Sequence, residues 1–349
     1  MKNPIFRSNM TLDFTVAIPT YNGASRLPKV LESLRLQVNS EQIRWEIIVV
    51  DNNSNDNTAE IIRDYQANWL SNIPLRYCFE RRQGLAAARA RAIREARGKF
   101  VGFIDDDNLP DADWISAAYS FGQSHPKAGA YGGQVHGDFE VNPPENFQRI
   151  QSFLAIRERG ETPHLYDPDN LSLPPGAALV VRRKAWCQNV PSRLRLSGRV
   201  NGSMLGGEDY EALLYIYRAG WEIWYNPAMH TYHQIPQYRL EKDYLLSLIC
   251  GSSLCICYLR MLNVEDWNKP IIFSKILLGS TLRMVRHLIK YRGQVKTDLI
   301  AACEMQFFWS SFLSSFYYIF INLAELYCQI LATKKALKTN IFEYYTNLK

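Results

Sequence analysis

The 349-residue sequence has no CxxC pair, no GxGxxG stretch, no internal repeat and no low-complexity run. Its seven cysteines are scattered and odd in number, which argues against a disulfide framework and predicts reduced thiols in a cytosolic setting. Cys250, Cys255 and Cys257 fall in an apolar stretch and read as core residues, because soft metal sites show paired cysteine spacing. Without a glycine fingerprint joining strand to helix, a dinucleotide-dependent oxidoreductase is not expected. The opening residues MKNPIFRSNMTLDF contain no apolar stretch of signal-peptide length, so export is not expected either. Charge of one sign is also lacking. Forty basic against 34 acidic residues give a formal +6, a mild excess that suits an anionic partner without demanding nucleic acid.

What the sequence does contain is apolar. At 47% hydrophobic it can bury a large core, and its length suits one large domain with an appendage. Over the first hundred residues, strand-like runs (14–19, 45–50, 74–80 and 99–104) trade places with helix-like ones (25–37, 57–66 and 84–97). That alternation predicts right-handed βαβ units on a mostly parallel sheet, with Gly98 stopping the third helix. A looser stretch follows, with helices near 112–122 and 208–219 and a strand from 221. After residue 238 the chain turns helical, which sets the expected boundary between a 13–238 domain and a 239–349 helical region.

Polar clusters fall at one end of the strands: PTYN (Pro19, Thr20, Tyr21) after the first, DNNS with Asp51 after the second, and DDDN after the fourth. Open α/β sheets place ligands at such carboxyl ends. On an extended strand Asp105 and Asp107 would share a face, with Asp106 opposite. Two unit charges about 4 Å apart repel by roughly 4 kcal/mol at an effective dielectric near 20, so the cluster calls for a neutralising cation. Mg²⁺ or Mn²⁺ is the expected guest; a plain turn is the alternative. Asp51 can accept hydrogen bonds from a base or ribose, or form an Asx turn. Arg81, Arg82 and Gly84 open the third helix, a corner suited to a diphosphate. Arg89, Arg91, Arg94 and Arg97 read as a solvated face. Glu208 and Asp209 begin a helix behind two glycines, where the helix dipole favours an ionised general base, or simply an acidic first turn. His233 can complete a metal site or serve structurally, and His230 is the weaker candidate.

Taken in order, VAIPTYNGASRLPKVLESL, IIVVDNNSNDNTAEI, QGLAAARARAIREARGKFVGFIDDDN and LGGEDYEALLYIYRAGWEIWYNP resemble the family 2 glycosyltransferases over roughly residues 13–235. The resemblance implies a GT-A fold with a Rossmann-like, mostly parallel sheet, and inverting transfer from a nucleotide-diphosphate sugar. It implies that Pro19, Thr20, Tyr21 and Asp51 bind the nucleoside and that Asp106 lies near the ribose. Asp105, Asp107 and His233 would hold Mg²⁺ or Mn²⁺, Asp209 would be the base, and Glu208 would help bind the acceptor. The QxxRW motif of processive synthases is missing, which predicts single-sugar transfer to a glycan or lipid-linked acceptor in cell-surface polysaccharide biosynthesis. A nucleotidyltransferase would show a basic glycine-rich loop after the first strand, and PTYNGASRLP is a poor match. A non-catalytic sugar-binding relative would not need both acidic motifs.

Residues 305–324 carry no charge over a length that matches a bilayer span, although serines, Gln306 and Asn322 interrupt it. With Lys334, Lys335 and Lys338 beyond it, the segment predicts contact with the inner face of the plasma membrane.

Overall fold

The computed structural model describes residues 12–346 apart from 201, with side chains described as far as 324. Among the described residues, nine strands form one sheet: β1 (Leu12–Thr20), β2 (Trp45–Asp51), β3 (Leu75–Phe79), β4 (Gly98–Phe103), β5 (Asn108–Pro110), β6 (Ala128–Phe139), β7 (His164–Leu165), β8 (Leu179–Arg182) and β9 (Glu222–Ile235). Six helices flank it: α1 (Leu27–Arg35), α2 (Thr58–Ala67), α3 (Leu85–Glu95), α4 (Trp114–Ser124), α5 (Arg183–Asn189) and α6 (Glu208–Arg218). The helical C-terminal region contributes α7 (Lys242–Ser253), α8 (Ile256–Leu262), α9 (Lys269–Tyr291) and α10 (Leu299–Thr346).

Period-2 alternation sorts the strand residues between two layers. Phe14, Val16, Ile18, Ile47 and Val49 pack with Leu31 of α1 and Trp114 of α4, whereas Ala17, Ile48 and Val50 pack with Ala88 and Ala92 of α3 on the other face. This is why residues 47–50 of β2 read as an unbroken apolar run: both faces of the strand are covered. The order is β3-β2-β1-β4-β8-β6-β9-β5, with β7 added to β9. The first four strands are parallel, as βαβ units require; β8, β5 and β7 run antiparallel to their neighbours, so the second half of the sheet is mixed. Gly98 does not stop α3. Ala96 already leaves the helix with extended dihedrals, and Gly98 opens β4, its N–H donating to Thr15 Oγ1 at 2.9 Å.

The parallel register sets the site. Thr20 lies opposite Asp51, and Ile104 binds the Ala17 carbonyl, so β1, β2 and β4 end on a common rim. On the far side Asn108 of β5 pairs with His233 of β9, bringing the histidine to the residue that follows the aspartates. Leu245, Leu248 and Ile249 of α7 and Ile300 and Cys303 of α10 pack onto Phe147, Leu154, Ile156 and Ile235, fastening the helical region to the sheet domain beside this rim. Cys255 and Cys257 are buried in apolar surroundings, and burial pushes both thiols up, Cys257 to about 11.

Candidate active site

The rim opens into a cavity of about 840 Å³ whose walls include Pro19, Thr20, Tyr21, Asp105, Asp107 and Asp209. Residues 105–107 form a turn rather than a continuing strand: the Asn108 N–H donates to the Asp105 carbonyl at 3.0 Å. The expected shared face of Asp105 and Asp107 is therefore replaced by three carboxylates aimed at three different cations.

Asp106 meets the Arg26 guanidinium in a fork, with Nε on Oδ1 and Nη2 on Oδ2 both at 2.9 Å, and the Thr20 hydroxyl also donates to Oδ2. Burial raises its pKa against the pull of Arg26 and Thr20. Asp105 faces Arg89 Nη2 at 3.5 Å, and burial likewise raises its pKa. Asp107 accepts from Arg239 Nη2 at 2.7 Å and lies 3.6 Å from His233 Nε2. Burial opposes its charge and the Arg239 guanidinium favours it.

His233 Nδ1 lies 2.8 Å from the Leu154 carbonyl, which can only accept, so the ring proton is assigned to Nδ1 and the Nε2 lone pair is left facing the cavity. Arg239 Nη1 donates to that lone pair at 2.8 Å. One guanidinium thus fills the space between a carboxylate oxygen and an imidazole nitrogen, the mixed donor pair that suits Mn²⁺ or Mg²⁺. Asn108 Oδ1, beside them, is buried without a partner. The Nδ1 contact to a backbone carbonyl is the support a metal-ligating histidine commonly has. Among the described residues no three acidic, imidazole or thiol groups gather round a single point, so a cation here would take its other ligands from water and from a bound phosphate. His230 points elsewhere, its Nδ1 lying 2.9 Å from His136 Nε2.

Asp209 is half-buried at the start of α6. Its Oδ2 accepts from the Gly176 N–H at 2.7 Å and its Oδ1 from the Tyr210 N–H at 2.8 Å, which fixes the carboxylate plane toward the cavity. Glu208, its neighbour, is buried and holds Arg89 Nη1 at 3.1 Å. Burial and then the Asp209 charge push the Glu208 pKa from its ordinary 4.5 to about 7, with Arg89 opposing. In the folded chain the proton is therefore retained longer than in the unfolded one. The stability this confers is complete below about pH 4.5 and lost as the pH rises through about 7. Glu208→Gln is expected to gain in Tm on the wild type between pH 5 and pH 8; parallel Tm curves across that range would contradict the assignment.

Several expected residues are placed otherwise. Asp51 Oδ1 accepts from the Ser54 N–H at 2.9 Å and Oδ2 from the Tyr77 hydroxyl at 2.8 Å, and the residue lies off the cavity wall; the next residue, Asn52, lines it instead. The Arg82 and Gly84 corner is closed. The Gly84 N–H donates to Asn52 Oδ1 at 2.8 Å and the Ala86 N–H to the Ser197 carbonyl at 3.2 Å, so the start of α3 offers no open nest to a diphosphate. Gly84 itself has φ +124, and a Cβ there would lie 2.7 Å from the Ser197 carbonyl oxygen. Arg89 is not on a solvated face: it is buried between Asp105 and Glu208, whereas Arg94 and Arg97 are exposed and Arg91 is half-buried. Its position among Leu85, Ala92 and Ile93 at helical spacing was the available signal. Arg26 and Arg239 carried no such local mark.

Residues 15–187 match the model of the family described as glycosyl transferase family 2. The glycosyltransferase AglE of Haloferax volcanii is 33% identical over 111 residues, covering 32% of this chain and 36% of that protein. The glucosyl-dolichyl phosphate glucuronosyltransferase of the same organism is 25% identical over 172 residues, covering 49% and 54%. The matches thus span about a third to a half of these relatives' own length. Among solved structures, the mannosyltransferase PcManGT from Pyrobaculum calidifontis in complex with GDP-Man and Mn²⁺ superposes with a TM-score of 0.51 at 19% identity, covering 88% of this chain and 89% of that one. S. aureus TarS 1–349 in complex with UDP-GlcNAc gives 0.50 at 16% identity, covering 88% and 92%. These two likenesses concern the fold.

Proposed function

We propose, for a chain that belongs to glycosyl transferase family 2 through its residues 15–187, that it moves a single sugar from a nucleotide-diphosphate sugar to a hydroxyl of a glycan or lipid-linked acceptor, with inversion. The fold is the GT-A type. The observation that carries the proposal is that one cavity presents the Asp107–His233 pair and the Asp209 carboxylate together. The donor class follows from the family, and two proteins that share the fold were solved in complex with GDP-Man or UDP-GlcNAc.

In this reading Pro19, Thr20, Tyr21 and Asn52 flank the nucleoside end, and Arg26 holds Asp106 in place through its fork. Asp107 and His233, with Asp105 across the turn, would hold Mg²⁺ or Mn²⁺. When bound, such a cation supplies positive charge against the diphosphate as it departs. Asp209 takes the proton of the acceptor hydroxyl on a carboxylate oxygen that the Gly176 and Tyr210 N–H groups keep aimed at the cavity. The acceptor oxygen then attacks the anomeric carbon from the face opposite the nucleotide, and the configuration inverts. The buried Glu208 lines the same wall, paired with Arg89.

The proposal extends to cell-surface polysaccharide biosynthesis at the inner face of the plasma membrane. Two stretches are long and apolar enough to cross a membrane by length and composition: Lys242–Leu262, more than half of it buried in the fold, and Leu299–Ala324, mostly unburied. The second supports contact with a membrane, and the side chains of Lys334, Lys335 and Lys338 lie outside the described residues. A thermal-shift screen of UDP, GDP and their sugars tests the core of the proposal. One nucleotide is expected to raise Tm only with Mn²⁺ present, and Asp107→Asn to weaken Mn²⁺ at least tenfold. A shift indifferent to both Mn²⁺ and Asp107 would sink the metal-dependent reading.

A further inference from the structure

At the rim the cavity's Asp105, Asp106, Asp107 and Glu208 carboxylates are paired with Arg26, Arg89 and Arg239, but other cations on its wall are not so paired. Away from the aspartates its walls include Arg260 of α8 and Lys275 and Arg283 of α9, separated by Leu248, Ile272, Ile276 and Phe307. None of the three basic residues forms an ion pair with a carboxylate among the described residues; Arg283 donates to Ser280 Oγ at 3.2 Å and lies over the Phe308 ring. Nor do their helices offer a partner, since neither α8 nor α9 contains Asp or Glu. Burial and then the charge of Arg260 hold the Arg283 pKa below its usual value, so two like charges share one end of the space. Like charges beside an apolar wall are costly unless an anion joins them.

The helices around this end are inverted relative to a water-facing protein. Ser280, Ser310, Ser311, Ser314 and Ser315 are buried, while Leu278, Leu282, Ile289, Trp309, Phe316 and Phe320 are exposed. Exposed large apolar side chains and buried hydroxyls on the same helices are the pattern of surfaces that meet lipid, where small polar residues mediate helix packing. The outer face of α9 adds Arg286 and Lys290, charges that complement acidic headgroups.

We infer that Arg260 and Arg283 hold the phosphate of a lipid-borne acceptor, its apolar chain lying along Ile272, Ile276 and Phe307 and its hydroxyl-bearing part reaching toward Asp209. The inference rests on the transferase reading above and names its acceptor: an apolar alcohol joined through phosphate to the group that receives the sugar. The phosphate is recognised by two guanidinium forks, the chain by the α9–α10 wall. No part of the donor is required for this contact, so the two can be tested apart.

The experiment measures binding to the full chain in neutral detergent by isothermal titration, with farnesyl phosphate, farnesol and glycerol 3-phosphate as probes. Farnesyl phosphate is expected to bind at least tenfold more tightly than either of the others. Arg260→Gln with Arg283→Gln should lose at least tenfold, and Arg286→Gln, off the cavity wall, less than twofold. Nucleotide diphosphate with Mn²⁺ is titrated into each variant; unchanged binding there shows that the variant is folded and keeps the donor reading separate. If the double variant fails that control, Arg283→Gln alone, at an exposed position, should lose at least threefold. Equal binding of farnesol would remove the role of the phosphate, and equal binding of glycerol 3-phosphate would remove that of the chain. Undiminished farnesyl phosphate binding by the arginine variants, or none by the wild type, overturns the inference.

Discussion

Asp209→Asn is expected to lower kcat for sugar transfer by about 10³-fold, roughly 4 kcal/mol of transition-state stabilisation, while nucleotide binding changes little. The amide is nearly the same size, so the cavity keeps its shape, but it has no acceptor orbital basic enough for the proton of a hydroxyl. It also faces two fixed donors. The Gly176 and Tyr210 N–H groups each point at one carboxylate oxygen, so an amide NH₂ must oppose one of them. The helix start loses a favourable charge as well, worth about 0.3–1 kcal/mol. A second consequence separates this from a simple loss of fold: Glu208 is raised partly by the Asp209 charge, so in the variant its pKa should fall below about 7. Steady-state kcat with saturating donor, read beside nucleotide affinity, decides the matter. A kcat within tenfold of the wild type would move the base elsewhere in the cavity.

The parts of this site that could be read from the chain are those set by local pattern. Apolar runs of strand length, each ending in Thr, Asp or Asn, imply a parallel sheet with its polar ends on one rim, and the register of β1 with β2 and β4 places them there. The Glu208–Asp209 pair behind Gly207 follows from helix-start chemistry in the same way. What local pattern does not carry is which cation meets which carboxylate. Arg26 reaches Asp106 across 80 residues and Arg89 reaches Glu208 across 119, distances over which only the assembled fold decides. Asp51 and Gly84 show the reverse. Both sit where a ligand would be expected, yet Tyr77, Ser54 and Asn52 satisfy them from within. The 305–324 segment is conspicuous for its missing charge, but its serines read as interruptions until helical spacing turns them inward and Trp309, Phe316 and Phe320 outward.

Replacing Arg89 with Met is expected to destabilise the fold by about 3–5 kcal/mol, because breaking a buried ion pair from one side leaves an uncompensated charge. Arg89 is the joint between the two acidic motifs, with Asp105 on one guanidinium nitrogen and Glu208 on another, and its plane lies over the Phe103 ring. The neighbouring backbone is built around it: a Cβ on Gly176 would lie 2.3 Å from Arg89 Nη2, and Gly176 is the residue whose N–H holds Asp209. Removing the guanidinium therefore loosens the base as well as the core. The loss has a direction in pH. With Arg89 gone, less opposes burial at Glu208, so its pKa rises further and its ionised form costs more. The variant should lie closest to the wild type near pH 5 and furthest from it at pH 8, and Glu208→Gln in the same chain should restore part of the difference. Urea unfolding of the two single variants, the double variant and the wild type at both pH values gives the coupling directly. Additive effects, with no change between pH 5 and pH 8, would mean that Arg89 serves only as packing and that the two acidic motifs are not joined through it.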